Sequence, residues 1–443
     1  PVSKTEPLIT QFSPLIPHCR FLHDRMMQAA YESMPESARQ QTHLNIGRLL
    51  YQHKKTEQLE QHIFAMVEQL NLGRDFIESE SERLLLAKLN LQAAVKSRQA
   101  SAWEMALEYA QIAASLLPGT TWASHYSLSY AIHYACIEGE FLASNYNEAQ
   151  QLAEALLKKA QSSLEKANIC YLLTNQSLKA ESQGYGIKKG LEGLAYCNAH
   201  IPPLEQISAN LVEKEYLKLK ALLAQKTGRA EAIETFNDTL SPETILSFRF
   251  YAQLCGASQI LGNKTLQYYL TYKSMNTVLE QGMNEQALGI YSSYSKLLVD
   301  SGEYQEAEAV ANNIMALLDR YPLCVEIPYI YMSIGTFIWP YIYPLKQAIA
   351  LQLKAHDAGY QHGDIIRGVL FGYSNAVINI YAQGTPLSQL ESHVQQLEVI
   401  SKKHHWKLSA GLSYRRLINM LTQPECEDLL AVSSFDPQDW QLM

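Results

Sequence analysis

The stretch from Gln286 to Pro322, QALGIYSSYSKLLVDSGEYQEAEAVANNIMALLDRYP, sets the narrowest limits on what this chain can fold into. Ala287, Ile290, Tyr291, Tyr294, Leu297 and Leu298 recur at steps of three and four, which places them on one face of an α-helix. Asp300-Ser301-Gly302 interrupts that rhythm, and Ala307, Val310, Ala311, Ile314, Leu317 and Leu318 restore it. Pro322 has no amide hydrogen to donate and ends the second run. The spacing predicts two helices joined by a glycine turn, the second carrying a small residue where it meets its neighbour.

A hairpin of this kind leaves an apolar face uncovered unless another hairpin stacks on it. The sequence supplies further copies. A turn followed by a small residue is read around Tyr109, at Asn145-Tyr146-Asn147-Glu148-Ala149, at Lys188-Lys189-Gly190, at Thr227-Gly228-Arg229-Ala230-Glu231-Ala232, at Ala348 and near Leu390. The steps through Ala106, Ala149, Gly190 and Ala232, and then through Ala307, Ala348 and Leu390, keep a period of about 41 to 43 residues. Gly302, Tyr304 and Ala307 have a Gly-x-Tyr-x-x-Ala spacing that resembles a tetratricopeptide repeat, in which the glycine and the small residue let two helices approach closely. The expectation is an all-α, right-handed superhelix (solenoid) of about seven or eight such hairpins. Gly139 is expected at the turn of the pair Tyr126 to Leu157. The pair between Pro242 and Gly282 is expected to be the irregular one, because its turn chemistry around Gly262-Asn263 is weak.

Composition narrows the function classes. The chain has 443 residues, 47% hydrophobic and only 18% charged, which describes a well-buried protein, because charged residues ordinarily make up about a quarter. Its net charge is −8, with lysines and arginines scattered, so the basic stripe that nucleic acid requires is absent from the sequence. Membrane insertion is not expected either, since no run reaches roughly 18 uninterrupted apolar residues. The most apolar part, Ile327 to Ile342, contains Pro328 and Pro340 and several tyrosines. The seven cysteines, Cys19, Cys136, Cys170, Cys197, Cys255, Cys324 and Cys426, are odd in number and far apart, and read as reduced core residues of a cytoplasmic protein. The sequence opens at Pro1 without a charged-then-apolar leader, which reads as a piece of a longer polypeptide.

Four prolines in residues 1–20 imply an extended lead-in. Beyond it, Phe21-Leu22-His23-Asp24-Arg25, Gln28-Ala29-Ala30-Tyr31 and His43-Leu44-Asn45-Ile46-Gly47-Arg48-Leu49-Leu50 resemble the segment that joins ATPase and helical-repeat modules in very large bacterial signalling proteins. Those proteins string together a protein-kinase-like domain, a STAND-type ATPase, a tetratricopeptide-like superhelix, a GAF sensor and a histidine kinase. Phe64, Asn71, Leu72, Gly73 and Arg74 are similar to that family's Phe…Leu-Asn-x-Gly-Arg stretch, with Gln69 where the family usually shows a histidine. Leu86-Ala87-Lys88-Leu89-Asn90-Leu91 resembles its Ala-x-Leu-Asn-Leu segment, and Ala358 to Asp364 and Gly384 to Leu387 resemble its Ala-x-Gly-x-x-x-Gly-Asp and Gly-x-x-Leu motifs. The resemblance runs in order from Phe21 to about Trp440. It implies a connector over 21–78 resembling the end of the ATPase winged-helix region, a superhelix over 79–425 and a C-terminal tail over 426–443. It also implies a non-catalytic regulatory or scaffolding role between ATPase and histidine-kinase modules, with a protein or peptide as partner, including those flanking modules. The alternative is a free-standing receptor for a short peptide or small molecule.

Catalytic signatures are weak. Gly256-Ala-Ser-Gln-Ile-Leu-Gly262-Asn263-Lys264-Thr265 has five residues between its glycines instead of the four of a phosphate loop, and reads as a turn between helices. Gly184-Tyr185-Gly186 with Gly190 lacks the strand that precedes a dinucleotide fingerprint. His125 and His133 are two turns apart, too far for shared metal ligation, and no HExxH, CxxC or GxSxG occurs, so neither metal nor cofactor is expected, and no enzyme activity. His23-Asp24-Arg25 has the wrong order for a kinase catalytic loop, and Asp24 suits a helix start. The concentration that stands out is aromatic. Tyr329, Tyr331, Trp339, Tyr341 and Tyr343 combine large apolar bodies with polar tips and are the candidate partner-binding residues, with core packing as the competing role.

Overall fold

The computed structural model describes residues 23–52, 62–174, 183–225, 239–404, 415 and 418. Among them every regular element is helical and no strand occurs, so the described part of the chain is all-α. No helix among the described residues is long and apolar enough to cross a membrane. The chain divides into two compact units, Pro1–Ala93 with Ile112–Ser124, and Ala94–Gln111 with His125–Met443.

In the first unit, α1 (Asp24–Ser33) starts with Asp24 in its first turn, where a carboxylate faces the exposed amides. α2 (Glu36–Gln52) packs on α3 (Ile63–Leu72) through glycines. A Cβ at Gly47 would lie 2.6 Å from Leu70, and one at Gly73 would lie 2.6 Å from the backbone oxygen of Gln40, so both positions exclude larger residues. Gln69 has a structural role here. Its Oε1 accepts from His43 Nδ1 at 2.7 Å, which leaves Nε2 to accept from the Tyr31 hydroxyl at 2.8 Å. Two motifs of the sequence also meet, because Asn71 and the fully buried Asn90 on α4 (Glu80–Gln99) exchange amide hydrogen bonds of 2.8 and 2.9 Å. Asn90→Leu is expected to lower stability by about 1–3 kcal/mol by stranding the Asn71 amide, read as a lower urea midpoint.

The second unit continues through α5 (Trp103–Ser115) and the pairs α6 (Tyr126–Leu142) with α7 (Tyr146–Leu157) and α8 (Ser163–Thr174) with α9 (Gln183–Tyr196). α10 (Ala209–Gln225) precedes α11 (Pro242–Ile260) and α12 (Lys264–Gln281). Then come α13 (Leu288–Asp300) with α14 (Tyr304–Leu318) and α15 (Ile327–Phe337) with α16 (Leu345–His362). A π-helical segment, Ile365–Phe371, leads into α17 (Gly372–Ala382), which pairs with α18 (Leu387–Lys403). The periodic small residues Ala149, Gly190, Ala307 and Ala348, and Leu390 at the next step, are all buried on the second helix of a pair. Ala232 and the Thr227-Gly228 turn lie outside the described residues. Cys136, Cys170, Cys197, Cys255 and Cys324 are buried free thiols, and Cys19 and Cys426 lie outside the described residues.

Several predicted turns are corrected. Tyr109, Gly139 and Gly190 lie inside α5, α6 and α9, and the α6–α7 turn falls at Ala143–Asn145. The two glycines serve close helix approach instead, since a Cβ on Gly139 would lie 2.9 Å from Leu107 and one on Gly190 2.6 Å from Leu254. The irregular repeat is also not the one expected. Pro242 to Gly282 forms a regular pair whose turn is built by Gly262, at φ +67°, and by Asn263, whose side chain accepts from the Leu266 amide at 3.0 Å. α10 is the displaced helix. It packs on α12, while α8 meets α11 directly and the row of first helices runs α8, α11, α13, α15, α17.

Candidate functional site

Along that row, side chains with charge or a hydroxyl replace the apolar residues that a helix interface ordinarily buries. Tyr171 on α8 meets Phe250 on α11 edge to face at 5.4 Å, and the adjacent Arg249 places its guanidinium 4.2 Å from the Tyr171 ring centre. Arg249 Nε has no hydrogen-bond partner, and Glu326 Oε1 stands 3.8 Å away. Glu326 precedes α15, its side chain is 0% exposed, and its Oε2 accepts from Arg367 at 3.0 Å. Arg367 in turn donates from Nε to Asp364 at 2.7 Å and lies 4.9 Å from the Tyr329 ring centre.

The π-helical segment positions Arg367. Gly363 takes a left-handed φ of +73° after α16, and the Asp364 carboxylate accepts from the Arg367 amide at 3.0 Å, starting the wider winding. Such segments are rare and frequently mark functional sites. Gly368 keeps it close to its neighbours, because a Cβ there would lie 2.6 Å from Gly359 Cα and 2.7 Å from Pro328. The same connection reaches residues far away in sequence. Ser101, 260 positions earlier, donates to the Gln361 carbonyl at 3.2 Å, and a Cβ on Gly363 would lie 3.1 Å from Leu142 and 3.4 Å from Trp103.

Beside these contacts lies a half-open cavity of about 290 Å³, with Arg98, Trp103, Glu138, Phe141, Arg249 and His362 on its wall. Burial pushes the Glu138 carboxyl above its usual range, against the opposing pull of Arg98 and Arg249. For Arg249, burial works against the charge but is outweighed by Tyr171, Glu326 and Tyr134, which hold its pKa above the ordinary value. Burial lowers the His362 imidazole, against Asp364. A carboxyl with a raised folded-state pKa favours the fold most below its unfolded pKa, and that contribution is lost as pH rises through the folded value. Glu138→Gln is therefore expected to raise the melting temperature at pH 8 and to lose that advantage below about pH 4, where both states are protonated. A melting temperature that falls equally at both pH values would contradict this.

The aromatic candidates divide. Tyr329 is buried in the charged row and shares a 2.9 Å hydrogen bond with Ser293, whereas Tyr331 is half-buried. Trp339 and Tyr343 pack edge to face at 5.6 Å, and the Tyr343 hydroxyl donates to Glu308 and accepts from Asn312. Tyr341 is 65% exposed and stacks on exposed Tyr304 at 6.5 Å. The structure therefore does not gather the five into one surface. The residues of the charged cavity escaped the sequence reading, yet they carried a signal. Arg249 and Arg367 are each a lone charge inside an apolar helical window, SFRFYA and IIRGVL, and their partner Glu326 is a lone charge in CVEIPY at a helix start.

No family model matches the sequence. The chain is similar to hybrid signal transduction histidine kinase G of Dictyostelium discoideum, at 31% identity over 164 residues, a stretch covering 32% of this chain and 5% of that protein. The chain thus spans only a small part of the length of that protein.

Proposed function

We infer that this chain is a non-catalytic, tetratricopeptide-like superhelix that regulates a signal-transduction protein by coupling flanking ATPase and histidine-kinase modules. The observation that carries the reading is the similarity to a hybrid signal transduction histidine kinase, joined to a succession of helix pairs, each of which packs on the next. In such a stack each pair touches mainly its neighbours, so a ligand or partner that shifts one junction is transmitted along the row. The exposed Met26, Met27 and Leu49 of the first unit and the exposed Tyr304–Tyr341 ring pair of the second are the faces offered to partner modules.

The test is to read the coding sequence on both sides and titrate the purified chain with the separately produced neighbouring modules. A phosphate-loop ATPase upstream, a histidine-kinase module downstream and saturable binding are expected. A reading frame with neither module overturns the assignment. Tyr341→Ala is expected to weaken module binding while leaving unfolding stability within about 0.5 kcal/mol, because the ring is largely solvent-facing. Equal binding with lowered stability would make Tyr341 a packing residue.

A further inference from the structure

The charges around the cavity are unequally committed. Arg367, Asp364 and Glu326 neutralise one another through hydrogen bonds of 2.7 and 3.0 Å. Arg98 and Arg249 are different. Their closest carboxylate oxygens, on Glu138 and Glu326, both stand at 3.8 Å, beyond hydrogen-bonding reach. Neither guanidinium is therefore hydrogen-bonded to the carboxylate nearest it. Arg249 Nε is itself buried, but the Arg249 and Glu138 side chains keep 30% and 24% of their surface accessible and both line the cavity. The residues lining the cavity carry the guanidiniums of Arg98, Arg249 and Arg367 against the carboxyls of Glu138 and Asp364, so the lining is basic by one charge. Trp103, Phe141 and Ile366 add apolar surface to the lining.

We propose that this cavity binds a small organic anion, whose carboxylate or phosphate head is received by Arg98 and Arg249 and whose apolar body lies against Trp103 and Phe141. Guanidinium groups present paired donors that match the oxygens of either head group, and an apolar pocket with a few convergent polar groups is the common form of a small-molecule site. At about 290 Å³ the cavity has room for a small organic guest. The proposal does not depend on the signalling assignment, because the site lies wholly within the second unit. The site does offer that assignment a point of entry. A guest there touches the α4–α5 connection, α6, α11 and the π-helical segment at once.

The experiment is calorimetric titration of the full chain with benzoate, phenyl phosphate, inorganic phosphate, benzyl alcohol and benzylamine, repeated on Arg98→Gln and Arg249→Gln. Benzoate and phenyl phosphate are expected to bind with one-to-one stoichiometry and at least tenfold more tightly than the neutral and cationic compounds and than inorganic phosphate. Each substitution is expected to weaken that binding tenfold or more. Arg98 is 46% exposed, so Arg98→Gln keeps the fold and its unchanged melting temperature separates lost binding from lost structure. Failure of both organic anions to bind at millimolar concentration overturns the proposal, as does benzylamine binding as tightly as benzoate. Undiminished binding by well-folded Arg98→Gln does so too.

Discussion

Arg367→Met is expected to lower the stability of the chain by about 3–5 kcal/mol, the usual cost of removing one partner from a buried ion pair. The substitution keeps an unbranched apolar stem but removes the guanidinium, leaving the fully buried Glu326 carboxylate without its 3.0 Å donor and Asp364 without its 2.7 Å donor. Arg249, 3.8 Å from Glu326, is too distant to replace the lost hydrogen bond. A urea titration followed by the helical circular-dichroism signal measures the effect, and a loss below about 1 kcal/mol would mean that solvent reaches Glu326. Glu326→Gln combined with Arg367→Met is expected to cost less than the two single losses added together, because the double variant no longer strands a charge. Additive losses would show that the pair acts as two independent packing residues.

Phe250→Ala should have an effect of similar size, about 3–5 kcal/mol, through the cavity it leaves between α9 and α11. The ring is fully buried, meets Tyr171 at 5.4 Å, and lies so close to Gly193 that a Cβ there would stand 2.1 Å from its Cζ. Gly193→Ala is accordingly expected to cost about 1–3 kcal/mol by overpacking. Gly193→Ala with Phe250→Leu should recover part of that loss, since the smaller side chain vacates the space the new methyl needs. No recovery would place the strain in the α9 backbone. The Arg249 guanidinium sits beside this contact, so both variants also test whether the charged row depends on the packing beneath it.

The helical pairs were legible because apolar faces at steps of three and four specify a helix locally. The pair Leu288–Asp300 and Tyr304–Leu318 falls where the pattern places it. Turns were less legible, because a glycine near polar residues has two physical uses. Gly302 serves the first, taking a φ of +80° between helices, and Gly139 and Gly190 serve the second, letting α6 and α9 press against Leu107 and Leu254 from mid-helix. Local sequence cannot separate them, since the partner side chain comes from another helix. The displaced α10 was hidden for the same reason.

The sequence by itself determined an all-helical chain with buried small residues recurring about every 41 to 43 positions, because those properties follow from periodicity and residue size within each helix. Tertiary structure alone decided which charges come together. Arg98, Glu138, Arg249, Glu326 and Arg367 are spread from the fourth helix to the π-helical segment, and nothing in the window around any one of them points to the others. Packing of successive first helices, and the approach of residue 101 to residue 361, bring Arg98, Glu138, Arg249 and Arg367 around one cavity, with Glu326 paired to Arg367 beside it, where mutual electrostatics makes their burial tolerable.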